Sequence, residues 1–315
     1  MREPVQKPAP FVSIAMATYN GALYLAEQIE SILSQSATDF ELIIADDASS
    51  DTTGELIKKY VEKDKRIKAV FNRENKGYRD TFYTALSHCN GEFILFSDQD
   101  DVWLKNKIET LLEVVEDNLL VFSDSALVDE NGRPKHRRLS DTVNMRQPGT
   151  NAVNRGFVIG NCVWGHTILF HRSLLQHITI PQNSHPHDWW FAVVSSHLHK
   201  IRYCPLVLNY YRQHAGNLTQ AIAKKGVATT KTPGRKMEEY STQLSRIASI
   251  KELPMNGDKA FYEKWHALFL ERKKGFSFSL FRFLFFYRKD IFSFKRKNFI
   301  SQLIAIRKMC RKVSL

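Results

Sequence analysis

Three groups of polar side chains each follow a short apolar segment in the first hundred residues. The apolar segments FVSIAMA, FELIIA and EFILF are typical of buried strands. The polar residues after them are Thr18, Tyr19 and Asn20; Asp46 and Asp47; and Asp98, Asp100 and Asp101. Ligands of open parallel sheets bind at the carboxyl ends of the strands, where these groups would meet. The alternative explanation is that these residues only cap helices and form turns. That explanation suits any one group taken alone better than it suits three groups that converge.

The third group, SDQDD, has the clearest chemistry. Three carboxylates within four residues repel one another at neutral pH unless a cation screens them. Hard oxygen ligands suit Mg²⁺ or Mn²⁺ shared with a diphosphate, and such an ion would neutralise charge on a departing phosphate group. A solvated acidic turn is the alternative, and it fits less well directly after the apolar run FILF.

The elements that must position these groups alternate between strands and helices. Periodicity predicts strands at Phe11–Thr18, Phe40–Ala45, Ile67–Phe71, Glu92–Phe96 and Leu119–Phe122. The intervening helices are predicted after an Asn20 N-cap, after a Thr52/Glu55 capping box, at Tyr78–His88 and at Lys105–Asp117. This alternation predicts an α/β fold with a mostly parallel, doubly wound sheet.

The regular alternation of predicted strands and helices ends at about residue 130. Lys135–Thr150 is polar and is predicted to be a flexible surface loop. Order is expected again in Val158–Phe170, in a helix near His187–His199 and in the extended stretch Ile201–Tyr211. Residues 216–236 hold few large apolar side chains and are expected to be mobile.

The segments FVSIAMATYNGALYLAEQIESILSQ, FELIIADDASSDTT and GEFILFSDQDDVW together resemble the family-2 inverting glycosyltransferases with the GT-A fold. The resemblance covers Phe11–Tyr211, and the motifs occur in the family's order and at its spacing. SDQDDVW, with HDWW and YRQH downstream, is similar to bacterial polysaccharide rhamnosyltransferases. The resemblance implies a Rossmann-like GT-A domain followed by a helical, basic C-terminal extension. The chain has no QxxRW sequence, the mark of processive synthases, which favours single addition.

The resemblance implies a nucleotide-binding role for the first two groups. Thr18, Tyr19 and Asn20 match positions that contact the nucleotide, with Tyr19 near the base or ribose. Asp46 or Asp47 matches the carboxylate that accepts a hydrogen bond from the pyrimidine N3–H.

The third group matches the family's DXD-type motif. Asp98 would lie towards the nucleotide and the metal, while Asp100 and Asp101 compete for the metal. In YRQH, Arg212 could contact the diphosphate and His214 could complete the metal site, although surface positions explain both residues equally well. The other histidines show no ligand-like partner in the sequence: His88, His136, His166, His171, His197 and His199.

The second half supplies the acceptor side in this resemblance. Asn161 matches the segment that lines the donor sugar, and Asp188 in HDWW matches the catalytic base. Inversion needs one carboxylate to deprotonate the acceptor hydroxyl as it attacks from the face opposite the diphosphate. An N-cap role for Asp188 is compatible with that assignment. Trp189 and Trp190 are candidates for sugar stacking, with core packing as the alternative for at least one.

The net charge of +12 is concentrated at the C-terminal end. Residues 271–315 hold thirteen basic and two acidic side chains, together with nine of the 21 phenylalanines. The rest of the chain is close to neutral, which argues against a uniformly basic nucleic-acid binder. The four cysteines are far apart, which favours a reducing compartment. The sequence shows neither a signal peptide nor an apolar run long enough to span a membrane, so a soluble or peripheral protein is expected.

The basic, Phe-rich tail has three possible uses. It could bind an anionic membrane surface, pack on the catalytic domain, or bind single-stranded nucleic acid through phosphate contacts and base stacking. A membrane is favoured, because a lipid-linked acceptor gives the enzyme a reason to stay there. The expected location is the cytoplasm, peripheral on the inner face of the cytoplasmic membrane, with no nucleic-acid partner.

One hypothesis and two alternatives follow from these features. The hypothesis is a metal-dependent transferase that moves rhamnose or a hexose from a dTDP- or UDP-sugar to a lipid-linked oligosaccharide in O-antigen or capsule synthesis. The expected domains are a catalytic domain, 1–215, with halves 1–130 and 131–215, and a C-terminal region, 216–315. The alternatives are a sugar nucleotidyltransferase, which the loop TYNGALYL argues against, and a basic aromatic nucleic-acid binder.

Overall fold

The structure is a computed structural model that describes residues 11–142, 155–179, 185–217, 233–253, 258–272, 275–293 and 297–311. The chain divides into two compact units. The first unit is drawn from residues 1–138, 163–177 and 204–212, and the second from residues 139–162, 178–203 and 213–315. The boundary expected at residue 215 from the sequence stays a prediction.

The first unit is built on a mixed sheet. The strands are β1 (Val12–Thr18), β2 (Phe40–Asp46), β3 (Ile67–Phe71), β4 (Phe93–Ser97), β5 (Val102–Trp103), β6 (Leu120–Val128), β7 (Pro134–Arg138), β8 (Ile168–His171) and β9 (Ile201–Arg212). Their order is β3-β2-β1-β4-β8-β6-β9-β5, with β7 paired to β6. Strands β3, β2, β1 and β4 pair in parallel, while β8, β6 and β7 add an antiparallel part.

Strand β1 lies in the middle of the parallel part, and its sequence explains why. It reads VSIAMAT and is almost wholly buried, as expected for a parallel strand covered on both faces. The register sets Thr18 opposite Asp46 and Met16 opposite Ser97. The polar groups that follow β1, β2 and β4 therefore leave the sheet along one edge, as the sequence predicted.

Amphipathic helices of the first unit are α1 (Leu25–Leu33), α2 (Thr53–Lys63), α3 (Tyr78–Ser87) and α4 (Lys107–Val115). In α1, Leu25, Ile29 and Ile32 are fully buried at spacings of three to four residues. One face of the helix therefore joins the core of the sheet. The α/β class expected from the alternation of strands and helices is confirmed.

One predicted helix cap is wrong, and the other is correct in position but lacks the expected side-chain hydrogen bond. Helix α1 has Tyr24 at its N-cap, while Asn20 lies in the preceding turn with a φ of 47° and accepts a hydrogen bond from the Ser50 N–H. Thr52 makes no side-chain capping bond to α2, and the Asp51 carboxylate accepts from the Thr53 N–H instead. Asn20 thus links the loop after β1 to the loop after β2. A sequence pattern for helix capping does not reveal such a contact between distant residues.

The predicted surface loop after residue 134 is wrong for its first part. Residues 134–138 form β7, an exposed edge strand on β6, and Leu139–Thr142 form a short helix, α5. The sequence of β7, PKHRR, has no apolar alternation because none of its side chains is buried. Residues 143–150 lie outside the described residues, as does most of the segment 216–236 that was expected to be mobile.

The second unit is helical. Its helices are α5, α6 (His187–His197), α7 (Pro233–Lys251), α8 (Lys259–Glu271), α9 (Phe278–Phe286), α10 (Arg288–Ile291) and α11 (Phe299–Met309). Phe261, Trp265 and Phe283 pack edge-on or tilted where α8 meets α9. Arg155 stacks over Phe261 and forms ion pairs with Asp258 at 2.7 Å and Asp290 at 2.9 Å. Within the described ranges, no helix has the length and apolar character needed to cross a membrane.

Candidate active site

The acidic loop 98–101 is anchored at both ends. It leaves β4, which pairs with β1 and β8, and enters β5, which pairs with β9. Asp101 is almost fully buried, whereas Asp98 and Asp100 are partly exposed at the edge of the sheet. The chain therefore presents one carboxylate inward and two outward within four residues.

His166 joins this loop from a distant part of the sequence. A 3₁₀ turn, Gly165–Thr167, precedes β8 and places the His166 Nδ1 atom 3.3 Å from Asp98 Oδ2 and 3.7 Å from Asp101 Oδ2. The imidazole is 2% exposed and stacks on the Tyr211 ring with a centroid distance of 5.0 Å. The expectation that His166 has no ligand-like partner is wrong, because the antiparallel pairing of β4 with β8 could not be read from the chain.

The charges around this cluster are strongly coupled. Burial raises the pKa of the Asp101 carboxyl to about 7. Burial also disfavours a charged His166 imidazole, but the carboxylates of Asp101 and Asp98 outweigh it and raise the pKa of that histidine. Burial lowers the pKa of the nearby Lys107, an effect that the same two carboxylates oppose. Asp101 and His166 thus hold their protons more tightly than usual in the absence of another cation, whereas Lys107 holds its proton less tightly.

The donor set fits a divalent metal ion. One ligand atom from each of Asp98, Asp101 and His166 lies within 4.8 Å of the others. The two carboxylates suit both Mg²⁺ and Mn²⁺, and the imidazole nitrogen favours Mn²⁺. Asp101, and not Asp100, shares this cluster in the described part of the chain.

The loops after β1 and β2 are joined by hydrogen bonds. The Asp46 carboxylate accepts from the hydroxyls of Thr18 at 3.1 Å and Ser49 at 2.6 Å. Asp47 is buried, which disfavours its charge, but hydrogen bonds from the Lys76 N–H and from other donors lower its pKa. Both carboxylates accept hydrogen bonds at this edge of the sheet, and each is a candidate for the pyrimidine contact.

Gln99 links the first loop to the acidic loop, a role that the sequence did not indicate. The Tyr19 N–H donates to Gln99 Oε1 at 2.9 Å, and Gln99 Nε2 donates to the Tyr19 carbonyl at 3.2 Å. A Cβ atom at Gly21 would lie 2.2 Å from Gln99 Oε1, so a larger residue there would displace the Gln99 amide. The Tyr19 side chain is 48% exposed and accessible to a ligand at the edge of the sheet.

The Arg212 side chain supports the acidic loop by donating a hydrogen bond to the backbone of that loop. The guanidinium is 3% exposed and donates to the carbonyls of Asp100 at 3.0 Å and Glu130 at 3.1 Å and to the Glu27 carboxylate at 2.5 Å. It also lies over the Tyr24 ring at 4.9 Å. These contacts give Arg212 a structural role, and its expected contact with a diphosphate stays a prediction.

The acceptor residues expected from the sequence lie in the second unit. Asp188 is in the first turn of α6, partly exposed, and its Oδ1 accepts from the Trp189 N–H at 2.6 Å. Trp189 and Trp190 are buried, and their indole N–H groups donate to the Phe157 and Thr179 carbonyls, both at 2.8 Å. Core packing therefore accounts for both tryptophans.

Two further sequence candidates lie in loops of the second unit. Asn161 is partly exposed next to the buried Cys162. His214 closes a tight turn in which its N–H donates to the Asn217 side chain at 2.5 Å and its Nδ1 accepts from the Gly216 N–H at 3.2 Å. Their expected roles stay predictions.

Comparisons with known proteins show the family to which the chain belongs. The model of the glycosyl transferase family 2 matches residues 13–179, so the chain belongs to glycosyl transferase family 2. The Escherichia coli UDP-Glc:alpha-D-GlcNAc-diphosphoundecaprenol beta-1,3-glucosyltransferase WfaP is 31% identical over 66% of this chain and 79% of its own length. Bacillus subtilis TuaG is 35% identical over 40% of this chain, and the match spans 50% of TuaG.

Solved structures confirm the GT-A fold. Staphylococcus aureus TarS 1–349 in complex with UDP-GlcNAc has a TM-score of 0.59 at 20% identity, and the match covers 94% of this chain and 79% of that one. The Pyrobaculum calidifontis mannosyltransferase PcManGT with GDP-Man and Mn²⁺ has a TM-score of 0.52 at 18% identity, over 84% and 74% of the two chains. The chain thus has the GT-A fold that the sequence predicted.

Proposed function

We propose that this glycosyltransferase is an inverting enzyme that moves rhamnose or a hexose from a dTDP- or UDP-sugar to a lipid-linked oligosaccharide. The pathway would be that of a bacterial surface polysaccharide such as O-antigen or capsule. The observation that carries the proposal is the Asp98, Asp101 and His166 cluster at the sheet edge of a family 2 enzyme. The name of the E. coli relative, with its UDP-linked donor and diphosphoundecaprenol acceptor, supports the donor and acceptor classes.

The residues of the first unit would bind the donor. Asp46 or Asp47 would accept the N3–H of the pyrimidine, and Tyr19 would contact the base or ribose. Asp98, Asp101 and His166 would hold Mg²⁺ or Mn²⁺, which supplies charge neutralisation on the leaving diphosphate. The Arg212 contacts keep the acidic loop in place, so the carboxylates need little rearrangement when the donor arrives.

Asp188 would act as the catalytic base. An inverting transfer requires a carboxylate that removes the acceptor proton as the acceptor oxygen attacks the anomeric carbon. Asp188 is partly exposed at the start of α6, and its hydrogen bond from the Trp189 N–H orients the carboxylate at the end of the helix. An oriented and accessible carboxylate is what this role needs.

The tail would hold the enzyme on the membrane. Helices α9 and α11 bury Leu280, Leu284 and Ile306 within the second unit, while Phe278 and Phe286 are each 75% exposed. Exposed apolar side chains beside Lys and Arg fit the boundary between headgroups and acyl chains. About 1 kcal/mol for each basic residue near an anionic surface makes half of the thirteen tail cations sufficient for peripheral binding.

A donor screen tests the proposed reaction. The protein would be incubated with UDP- and dTDP-sugars, Mn²⁺ and a diphosphoundecaprenol-linked saccharide, and the lipid-linked product would be analysed by mass spectrometry and NMR. We expect one added sugar with inverted anomeric configuration, loss of product with EDTA and recovery with excess Mn²⁺. A product that keeps the donor configuration, or full turnover in EDTA, would refute the proposal.

A further inference from the structure

The turn after β1 is held by hydrogen bonds from two sides. On one side, Gln99 of the acidic loop binds the Tyr19 backbone twice, at the N–H at 2.9 Å and at the carbonyl at 3.2 Å. On the other side, the Gly21 N–H donates to the Thr53 hydroxyl at 2.9 Å. The backbone of this turn is therefore fixed relative to the acidic loop and to the start of α2.

The two bonds from Gln99 leave the Tyr19 ring as the main surface that this residue offers to a ligand. The amide of Gln99 has both a donor and an acceptor, so it satisfies the N–H and the carbonyl of one residue at the same time. Tyr19 is nonetheless 48% exposed. A flat aromatic ring is a favourable stacking surface for a nucleobase, and the position of this ring is set by the backbone that Gln99 holds.

Gly21 provides the space that the Gln99 amide occupies. A Cβ atom at position 21 would lie 2.2 Å from Gln99 Oε1 and 2.6 Å from Gln99 Cδ. Only glycine permits so close an approach, so any other residue would push the amide away from Tyr19. The atoms in conflict are the end of a flexible side chain, which can move while the turn stays in place.

We propose that Gln99 and Gly21 are positioning residues that set the Tyr19 ring for the pyrimidine nucleoside of the donor. This role rests on the proposed function, in which Tyr19 contacts the base or ribose. Gln99 lies between Asp98 and Asp100, so one side chain connects the nucleoside end of the donor site to the acidic loop. The hydrogen bonds hold the turn before a ligand arrives, and affinity falls with the fraction of molecules in the binding arrangement.

Two single variants test this role from opposite sides. Gln99→Ala removes the amide, and Gly21→Ala displaces it. Binding of UDP, dTDP and inorganic pyrophosphate would be measured by calorimetry at one fixed Mg²⁺ concentration. We expect about 5- to 30-fold weaker UDP and dTDP binding in each variant, because two hydrogen bonds no longer favour the binding arrangement. Pyrophosphate affinity should not change, because pyrophosphate has no nucleoside.

The control variant is Gly54→Ala, which adds the same methyl group elsewhere in the first unit. A Cβ atom at Gly54 would lie 3.7 Å from Phe71 Cε1, an ordinary contact. We therefore expect wild-type affinity for all three ligands in Gly54→Ala.

The double variant distinguishes one shared contact from two independent defects. The three atoms nearest to a Cβ at Gly21 all belong to Gln99, so Gln99→Ala makes room for the added methyl group. We expect Gly21→Ala to cause no further loss of UDP affinity in the Gln99→Ala background. Two independent defects would instead multiply their effects.

Hydrogen exchange of the Tyr19 amide tests the arrangement without any ligand. The full chain would be labelled with ¹⁵N-tyrosine, and the Tyr19→Phe variant would identify the signal. We expect slow exchange in the wild-type protein and in Gly54→Ala. Exchange should be faster in Gln99→Ala and in Gly21→Ala, because the amide has lost its acceptor.

Two results would overturn the inference. One is a Tyr19 amide that exchanges at the same rate in the wild-type protein and in Gln99→Ala. The other is unchanged UDP and dTDP affinity in both single variants although the amide exchanges faster. A wild-type protein that binds neither nucleotide, with faster exchange in both variants, would instead refute the proposed donor class while confirming that Gln99 holds the turn.

Discussion

Replacing Arg212 with methionine separates a structural role from a ligand-binding one. The guanidinium donates to two backbone carbonyls, those of Asp100 and Glu130, and pairs with the Glu27 carboxylate. Methionine fills a similar apolar volume but donates no hydrogen bond. The substitution therefore removes the support of the acidic loop while leaving the hydrophobic packing largely intact.

The expected loss of stability follows from these contacts. A buried acceptor left without its donor costs about 1–3 kcal/mol, and the partly buried bond to the Asp100 carbonyl comes nearest to this case. Glu130 is exposed, so water replaces the donor there, and the Glu27 side chain is 57% exposed, which limits that pair to about 1 kcal/mol or less. We expect Arg212→Met to lower the free energy of unfolding by about 1–4 kcal/mol, with Arg212→Lys in between.

Thermal unfolding and nucleotide binding together form the assay. The entropy of unfolding grows with chain length, so a loss of this size lowers the Tm by about 1.5–6 °C in a protein of this length. Arg137→Met is the control, because Arg137 is exposed on β7 and its loss should change stability by less than about 0.5 kcal/mol. An unchanged Tm in Arg212→Met together with weakened UDP or dTDP binding would refute the structural role and favour the diphosphate contact.

Further predictions address the base, the metal cluster and the tail. Asp188→Asn should lower transfer about 10²- to 10⁴-fold and leave nucleotide affinity, measured by calorimetry, unchanged; retained turnover would exclude it as the base. Asp101→Asn should weaken Mn²⁺ binding more than Asp100→Asn, and the reverse order would move the ligand to the outer carboxylate. Mn²⁺ affinity, measured by calorimetry across a pH series, should fall as the pH decreases through neutrality, well above the usual carboxyl pKa of about 3.9, because raised pKa values make protons compete with the cation. Phe286→Glu should reduce flotation with anionic liposomes while Leu206→Glu, exposed on β9, should not, and equal flotation of both would argue for packing alone.

Much of the parallel half of the fold could be predicted from the sequence. The predicted strand Ile67–Phe71 has the bounds of β3, and the predicted first, second and fourth strands differ from β1, β2 and β4 by one residue at one or both ends. The central strands are buried on both faces, so each reads as an apolar run that ends in a polar turn. Because these strands pair in parallel, the polar groups that follow them were expected at one edge of the sheet.

The antiparallel part could not be predicted in the same way. Strand β8 has four residues, and β5 has two, so neither shows a period. Their pairing with β4 and β9 depends on contacts between residues far apart in the chain. His166 became a member of the candidate site through such a contact, and no local pattern around it indicated a role.

The composition of the tail does not predict which of its phenylalanines are buried. Nine phenylalanines in 45 residues suggested one common use for all of them. In the structure, Phe283 and Phe292 are buried in the second unit, while Phe278 and Phe286 are exposed. The helical period of α9 places its side chains on different faces. Some phenylalanines of the tail therefore pack in the second unit, and others lie on the surface.

The pairing of β4 with β8 also has a consequence for biosynthesis. Strand β4 ends at Ser97, and its partner begins at Ile168, about 70 residues later in translation. At about 5–20 residues per second, the ribosome needs roughly 4–14 s before that edge can close. An open apolar edge of this kind recruits other nascent chains. Slower translation of the intervening segment, or truncation before β8, is therefore expected to favour inclusion bodies, and expression hosts that supply chaperones should improve the soluble yield.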